Sequence, residues 1–156
     1  MKNQGKPPHE FKRLLVAVDG SDNALRAAKV AVAISKRFGA ELIVCHVIAT
    51  PAYTFSRVSA PGPALLTEYF DSARKDAKRF IGEILTMAEA EGVKASELIV
   101  ANVFSVVEAI VKHAADRDVD LIVVGTRGLS GFKKMLTGSV SRGLVNHAHC
   151  SVLMVR

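Results

Sequence analysis

The sequence has 156 residues, of which 49% are hydrophobic and 23% are charged, a balance that predicts one folded globular domain. This composition excludes a chain that is disordered throughout, and no apolar run approaches the ~20 residues that a membrane-spanning helix needs. Residues 1–11 are polar, contain two prolines and lack the apolar stretch of a signal peptide, so we expect a flexible tail followed by one domain over residues 12–156. The two cysteines are too far apart in sequence to form a metal-binding pair and too few for a disulfide framework, which predicts a cytoplasmic protein.

The positive charge is concentrated near the end of the chain. The net charge is +6, the last acidic residue is Asp120, and residues 121–156 hold a net +5. The first 120 residues therefore hold only +1. This distribution indicates a local anionic partner rather than a generally basic surface. The basic residues of the segment are Arg127, Lys133, Lys134, Arg142 and Arg156.

From residue 14 onwards, apolar strands alternate with helices. Short apolar runs rich in β-branched residues predict strands at residues 14–19, 41–47, 97–102, 120–125 and 151–155. Segments with helical periodicity lie between them at residues 24–38, 64–91, 105–115 and 139–147. The alternation predicts a single-domain α/β fold, a doubly wound five-stranded parallel sheet with helices on both faces. The longest connection is the proline-containing loop at residues 49–63.

The segment after the fourth predicted strand has the composition of a phosphate-binding loop. Five of the 11 glycines lie from Gly125 to Gly143, and glycine allows the main chain to approach a ligand closely. Gly138 and Ser139 are expected to begin the last helix, whose free N–H groups and dipole favour an anion. In open parallel sheets ligands bind beyond the carboxyl ends of the strands, which is where this segment lies.

The spacing Gly125-x2-Gly128-x9-Gly138-Ser139 resembles the Gly-x2-Gly-x9-Gly-Ser/Thr signature of the ATP-binding branch of the universal stress protein family. The segments LLVAVDGS, LIVCHV, DLIVVGTRG and HCSVLMV also resemble blocks of that family, in the family's order. One departure is Ser151, where the family usually has proline. The resemblance covers residues 12–156 and implies a Rossmann-like fold of the adenine nucleotide alpha hydrolase-like type.

The resemblance also implies a nucleotide site at the strand ends. It places Asp19, with Ala17 beside it, at the nucleoside, and the main chain of Val47 at the adenine ring. The charge distribution, apart from the resemblance, favours Arg127 and Arg142 as counter-charges for a polyphosphate, and it leaves open whether Lys133 and Lys134 contribute or face solvent. The implied ribose and phosphate contacts are Val124, Gly125, Gly128, Gly138, Ser139, Val140 and Ser141.

These features together predict an ATP-binding universal stress protein that acts as a nucleotide-dependent switch or sensor in the stress response. ADP or AMP is the alternative ligand to ATP, and Mg²⁺ is the metal ion expected to bind together with the nucleotide. Slow or absent hydrolysis is expected because residues 121–156 contain no evident general base. The strand at residues 151–155 is apolar and closes the chain, so an exposed edge there and the dimers of the family predict a homodimer.

Two other functions stay open. The basic segment could serve a nucleic-acid or anionic-protein interaction, although its single aromatic residue, Phe132, makes nucleic acid the weaker partner. The same site could also belong to a true ATP-hydrolysing or phosphotransfer enzyme.

Several residues have plainer interpretations. Asp19 could serve only to cap the first turn after its strand. Cys45 and His46 are expected in the core rather than in a catalytic pair. His147, His149 and Cys150 straddle a helix end and a strand start, so no metal site is expected from them.

Overall fold

The computed structural model describes residues 10–51, 62–127 and 138–156. Five strands in these segments form one sheet in the order β3-β2-β1-β4-β5, and every neighbouring pair is parallel. The predicted five-stranded doubly wound α/β fold is therefore confirmed. In chain order the elements are β1 Arg13–Ala17, α1 Asp22–Phe38, β2 Glu41–Ala49, α2 Pro63–Ala90, β3 Ala95–Val103, α3 Val106–Asp116, β4 Leu121–Gly125, α4 Ser139–His147 and β5 Ser151–Val155.

The strand order reverses between β1 and β4. The chain first builds outward from β1 to β2 and β3, then crosses to β4 on the other side of β1. Right-handed crossovers then place α1 and α2 on one face and α3 and α4 on the other. Alternate residues of β1 follow this division, because Leu14 and Val16 are buried with α1 and α2 while Leu15 and Ala17 are buried with α3. The point between β1 and β4 where the strand order reverses therefore lies between two hydrophobic cores, one on each face of the sheet.

Side chains before the helices set where two of them begin. The Ser21 hydroxyl accepts a 3.1 Å hydrogen bond from the Ala24 N–H and caps α1, and the Ser105 hydroxyl accepts from the Glu108 N–H and caps α3. Gly39 ends α1 in the left-handed conformation, with φ of 65°, which glycine adopts without the steric cost of a side chain.

The strand ends differ from the predicted bounds in ways that matter for the site. β1 ends at Ala17, two residues before Asp19, whereas β2 continues to Ala49. β2 continues because its other neighbour, β3, is paired with it over most of its length. β3 begins at Ala95, earlier than predicted, and Pro63 is the first residue of α2 rather than part of the loop. Proline suits this helix position because its missing N–H would have no partner there.

The first described residues pack against the fold. The ring of Phe11, which the sequence assigned to the tail, packs edge-on against Phe38 with centroids 5.2 Å apart. Residues 1–9 of the predicted tail lie outside the described residues. β5 lies at an edge of the sheet, as expected. None of the helices in the described segments is long and apolar enough to cross a membrane.

Candidate functional site

A cavity of about 300 Å³ lies at the carboxyl ends of β2, β1 and β4, where the strand order reverses. This is the position at which open parallel sheets bind ligands, and the volume is at the small end of the range for small-molecule sites. The start of α4 and the apolar face of α3 contribute the remaining walls. The cavity is therefore the candidate functional site.

Ten described residues that the sequence assigned to the site line this one cavity. Gly128, Lys133 and Lys134 lie outside the described residues. Arg142 is exposed on the first turns of α4 and is not among the residues that line the cavity, so the structure does not group it with the other predicted residues. The predicted residues that the fold brings together are Ala17, Asp19, Val47, Val124, Gly125, Arg127, Gly138, Ser139, Val140 and Ser141.

Sequence reasoning missed part of the cavity wall. Val106 and Ile110 line it from α3, although their four-residue spacing on an apolar helix indicates only a core face. Thr126 is also in the wall, and it is buried directly after Gly125. No sequence signal distinguishes these residues from ordinary core positions, because α3 reaches the site only through the crossover to β4. The other unforeseen lining residues are Val18, Ala24, Cys45 and His46.

Within the described segments no side chain caps the start of α4, whereas α1 and α3 each have a serine cap. The N-cap of α4 is Gly138, in an extended conformation with φ of −68° and ψ of 161°. The hydroxyl of Ser141 donates back to the Gly138 carbonyl at 3.0 Å. The main-chain N–H groups of the first turn have no partner earlier in the helix, and the residues that carry them line the cavity. This arrangement favours an anion, which an N-terminal helix dipole stabilises.

Arg127 adds a positive charge at the same place. It follows β4 directly and lines the cavity with its side chain exposed to solvent. A guanidinium can bind a phosphate oxygen pair through two parallel N–H groups. The helix start and Arg127 together make this end of the cavity the part best suited to an anion.

Asp19 lies beyond the end of β1, where it takes part in the turn into α1 and also lines the cavity. Its Oδ1 accepts a 3.0 Å hydrogen bond from the Ser21 N–H, which stabilises the turn into α1. Gly20 supports the same turn with φ of 83°, a conformation that favours glycine. The cap of α1 is supplied by Ser21, so capping that helix does not explain the position of the Asp19 side chain. Asp19 also lines the cavity.

Gly125 has a packing role in addition to its place in the cavity wall. A Cβ atom on this residue would come within 3.0 Å of the main-chain carbon and oxygen of Asn23. The first turn of α1 therefore lies directly on the end of β4, and only glycine leaves room for it. The predicted glycine spacing is thus partly a requirement of helix packing.

Cys45 and His46 line the cavity from β2. Burial raises the pKa of the Cys45 thiol to about 12, so the thiol stays protonated and is a poor nucleophile. The Nδ1 of His46 lies 2.7 Å from the Val18 carbonyl oxygen, which can only accept, so Nδ1 carries the proton and donates. The imidazole also meets the ring of Phe80 edge-on at 5.1 Å. The Cys45 thiol is thus protonated and the His46 imidazole is held by a main-chain carbonyl, so neither contact indicates a catalytic pair.

The described residues show no group of three or more His, Cys, Asp or Glu side chains that could hold a metal ion. Cys45 and Cys150 are both free thiols.

The chain matches known proteins over nearly its whole length. The model of the universal stress protein family matches residues 10–156. The universal stress protein YxiE of Bacillus subtilis is 40% identical over 151 residues, covering 94% of this chain and 99% of the relative. The universal stress protein UspA from Lactobacillus plantarum has a TM-score of 0.83 at 27% identity, covering 95% of this chain and 99% of that chain. A universal stress protein solved in complex with cAMP has a TM-score of 0.70 at 28% identity, covering 95% and 99%.

Proposed function

Because the chain belongs to the universal stress protein family, we propose that it binds ATP in the cavity above β2, β1 and β4 and serves as a nucleotide-dependent switch or sensor in the stress response. ADP and AMP are the alternative ligands of the same site.

The observation that carries this proposal is the uncapped start of α4 beside Arg127. A helix that begins at glycine and opens on a cavity offers several N–H donors to one anion. A guanidinium beside them supplies the counter-charge that a polyphosphate needs. A neutral ligand would leave these donors and this charge unused.

The order of the strands fits the length of a nucleotide. β2, β1 and β4 are neighbours, and strands in a sheet lie about 5 Å apart, so the site extends about 10 Å from β2 to β4. Val47 lies at the β2 end, Asp19 in the middle and Arg127 at the β4 end. Base, ribose and phosphate follow one another over such a distance.

The part of the cavity near β2 suits a flat base. Val47, Val106 and Ile110 offer apolar surface, and the protonated Cys45 thiol adds no charge. The carboxylate of Asp19 can accept hydrogen bonds from ribose hydroxyls. A relative of the same fold, 28% identical, was solved in complex with cAMP, an adenine nucleotide.

Mg²⁺ fits this site as an ion carried by the phosphates. The hydroxyl of Ser139 and the carboxylate of Asp19 are oxygen donors in the cavity wall. Mg²⁺ commonly binds through one or two protein oxygens together with substrate phosphates and water. When bound, it would neutralise phosphate charge.

A switch is a better interpretation than an efficient enzyme. The described residues at the phosphate end of the cavity, from Thr126 to Arg127 and from Gly138 to Ser141, include no carboxylate and no imidazole. Phosphoryl transfer to water needs a group that orients the attacking water. We therefore expect slow hydrolysis or none.

The test is calorimetric titration of ATP, ADP, AMP and adenosine in the presence of Mg²⁺. We expect micromolar or tighter binding of ATP and weaker binding of adenosine, because only the phosphorylated ligands reach α4. Asp19→Asn keeps an oxygen acceptor for the Ser21 N–H but removes the charge, and it should weaken ATP binding about tenfold. Asp22→Asn is the matched control, since Asp22 is exposed in the first turn of α1 and outside the cavity wall.

Two results would reject the proposal. The first is a lack of ATP binding by the wild-type protein. The second is salt-dependent binding of duplex DNA that ATP does not displace, which would support the interaction module instead. A turnover above ~1 s⁻¹, the low end of typical enzymes, would support the enzyme.

We also propose that two chains associate along β5. β5 is an edge strand, and Met154 on it is exposed. Thr126 donates to the Val155 carbonyl, so alternate residues, Val152 and Met154, direct their main-chain groups to the open side. Met154→Pro removes one of those donors and should convert a dimer to a monomer in light scattering; a monomeric wild type would contradict the proposal.

The free thiols of Cys45 and Cys150 agree with the cytoplasmic location that the sequence predicts, since that compartment keeps thiols reduced.

A further inference from the structure

The hydrogen bonding between β1 and β2 changes at the edge of the cavity. The Val18 N–H donates to the Cys45 carbonyl at 2.8 Å, which continues the regular ladder of the two strands. In a parallel ladder the next bond would run from the Val47 N–H to the Val18 carbonyl. The paired residues nevertheless end at Ala17 and Cys45.

His46 occupies the place of the missing bond. Its Nδ1 donates to the Val18 carbonyl at 2.7 Å. The hydrogen bonds of the described main chain include none from Val47 to Val18. A side chain has therefore replaced the main chain as the partner of this carbonyl.

The replacement leaves the main chain of Val47 directed at the cavity. The main-chain N–H and carbonyl groups of successive β2 residues point alternately to β1 and to β3. The Glu41 N–H donates to the Lys12 carbonyl beside β1, and the Leu42 N–H donates to the Lys94 carbonyl beside β3. Val47 is six residues after Glu41, an even number, so its N–H and carbonyl point to the same side as those of Glu41, toward β1. β1 has ended there, and Val47 lines the cavity.

Phe80 holds the imidazole in this position. Its ring meets that of His46 edge-on, with centroids 5.1 Å apart and planes at 89°. The same ring lies against Gly20, where an added Cβ would be only 3.1 Å from Phe80 Cδ1. Phe80 thus packs on both the imidazole and the turn that follows Asp19.

We propose that His46 is a positioning residue that prevents the last hydrogen bond between β1 and β2, from the Val47 N–H to the Val18 carbonyl. We call this absent bond the open rung. The Val47 N–H and carbonyl are thereby left to recognise the edge of a base. The inference rests on the proposed function for its ligand. An N–H beside a carbonyl matches a ring nitrogen beside an amino group, which is the N1 and 6-amino edge of adenine. The base of ITP has a hydrogen on N1 and an oxygen at position 6, so it presents the opposite pattern to both groups.

Hydrogen exchange tests the open rung without any ligand. The Val47 amide of the free wild-type protein should exchange faster than the Cys45 amide of the same strand. In His46→Leu the Val18 carbonyl loses its donor, and the Val47 N–H should take its place, which slows Val47 exchange at least about tenfold. His46→Asn is the matched rescue, because its side-chain amide can place an N–H near the position of Nδ1, and it should keep the wild-type rate.

Nucleotide titration tests the consequence. His46→Leu should weaken ATP binding about tenfold, the effect of one lost hydrogen bond, and should reduce the preference for ATP over ITP. His46→Asn should retain both the affinity and the preference. A merely structural role for the imidazole would lower stability without changing the ratio of ATP to ITP affinity.

The outcomes separate the two proposals. Equal Val47 exchange rates in wild type and His46→Leu would overturn the inference, and so would an unchanged ATP-to-ITP ratio in a wild-type protein that binds ATP. If the wild type binds no nucleotide, the proposed function fails, while the exchange rates still decide whether His46 opens the rung.

Discussion

The main-chain N–H of Gly138 donates a 2.6 Å hydrogen bond to the carbonyl oxygen of Thr126. The Thr126 N–H in turn donates to the Val155 carbonyl at 2.9 Å. The start of α4 is thereby attached to the end of β4, and through it to β5. The direction in which the first N–H groups of α4 point is set by the sheet, which pre-organises the donors that we propose bind phosphate.

Gly138→Asp should affect folding stability and ligand binding in opposite directions. Gly138 has ordinary extended dihedral angles, and an added Cβ would be 3.4 Å from the Thr126 oxygen, so a side chain fits. Aspartate caps helices better than glycine and favours the dipole, which should stabilise the fold by about 0.3–1 kcal/mol. The same carboxylate takes the place of the phosphate, so ATP affinity should fall at least about tenfold. Urea unfolding and calorimetry measure the two effects, and unchanged ATP binding would argue against a phosphate at α4.

Arg127→Gln should weaken ATP binding about tenfold and leave adenosine binding unchanged. Arg127 lines the cavity beside α4, and a charge-assisted hydrogen bond to phosphate contributes about 1.5–3 kcal/mol. Arg142→Gln is the matched control, because Arg142 is an exposed cation outside the cavity wall. Equal losses in the two variants would indicate a general effect of positive charge rather than a contact.

The buried thiol of Cys45 should make the protein less stable above pH 9. Burial raises its pKa from the ordinary 9.0 to about 12, so the folded state holds the proton more tightly than the unfolded state. The contribution is complete below pH 9 and is lost as the pH rises toward 12, at about 1.4 kcal/mol per pH unit. Urea unfolding at pH 8, 9 and 10 should show a shallower decline in Cys45→Ala.

Cys150→Ala is the control for this pH dependence. Cys150 is only partly buried, and its pKa is raised chiefly by that burial, so its removal should alter the slope less. Parallel declines in the wild type and Cys45→Ala would show that other groups cause the loss of stability.

Gly143→Ala and Gly82→Ala should change stability in opposite directions. A Cβ on Gly143 would be 2.6 Å from Val107 Cγ2, because α3 and α4 pack closely there. Separating them should cost about 1–3 kcal/mol. Gly82 lies within α2 with no atom within 4 Å of an added Cβ, so alanine should stabilise that helix by up to about 1 kcal/mol. Equal thermal midpoints for the two variants would contradict the close packing of α3 on α4.

The alternation of apolar strands and periodic helices was readable from the sequence because each signal is local. A run such as residues 121–125 is apolar and β-branched whatever its neighbours are, and Gly39 ends a helix through its own φ. The glycine-rich composition after β4 and the helix start at Gly138 and Ser139 are local signals of the same kind and indicate an anion site. The spacing of the glycines carries meaning only through its resemblance to a known family.

Contacts between distant segments could not be read in this way. Val106 and Ile110 enter the cavity because the crossover from β3 to β4 packs α3 against β2 and α4. Gly125 is required by the main chain of Asn23, and no property of either residue alone indicates that contact. Arg142 is the opposite case. The sequence favours it as a counter-charge of the site, but it is not among the residues that line the cavity.

The net charge of +6 and its concentration after residue 120 were determined by the sequence alone, as were the number and order of strands and helices. Only the tertiary structure decided which charges face the cavity and which main-chain groups are left for a ligand. The physical reason is that strand pairing and helix crossing set directions as well as distances. The imidazole of His46 takes one hydrogen-bonding position of β1, and the N–H of Val47 is therefore available at the cavity rather than within the sheet.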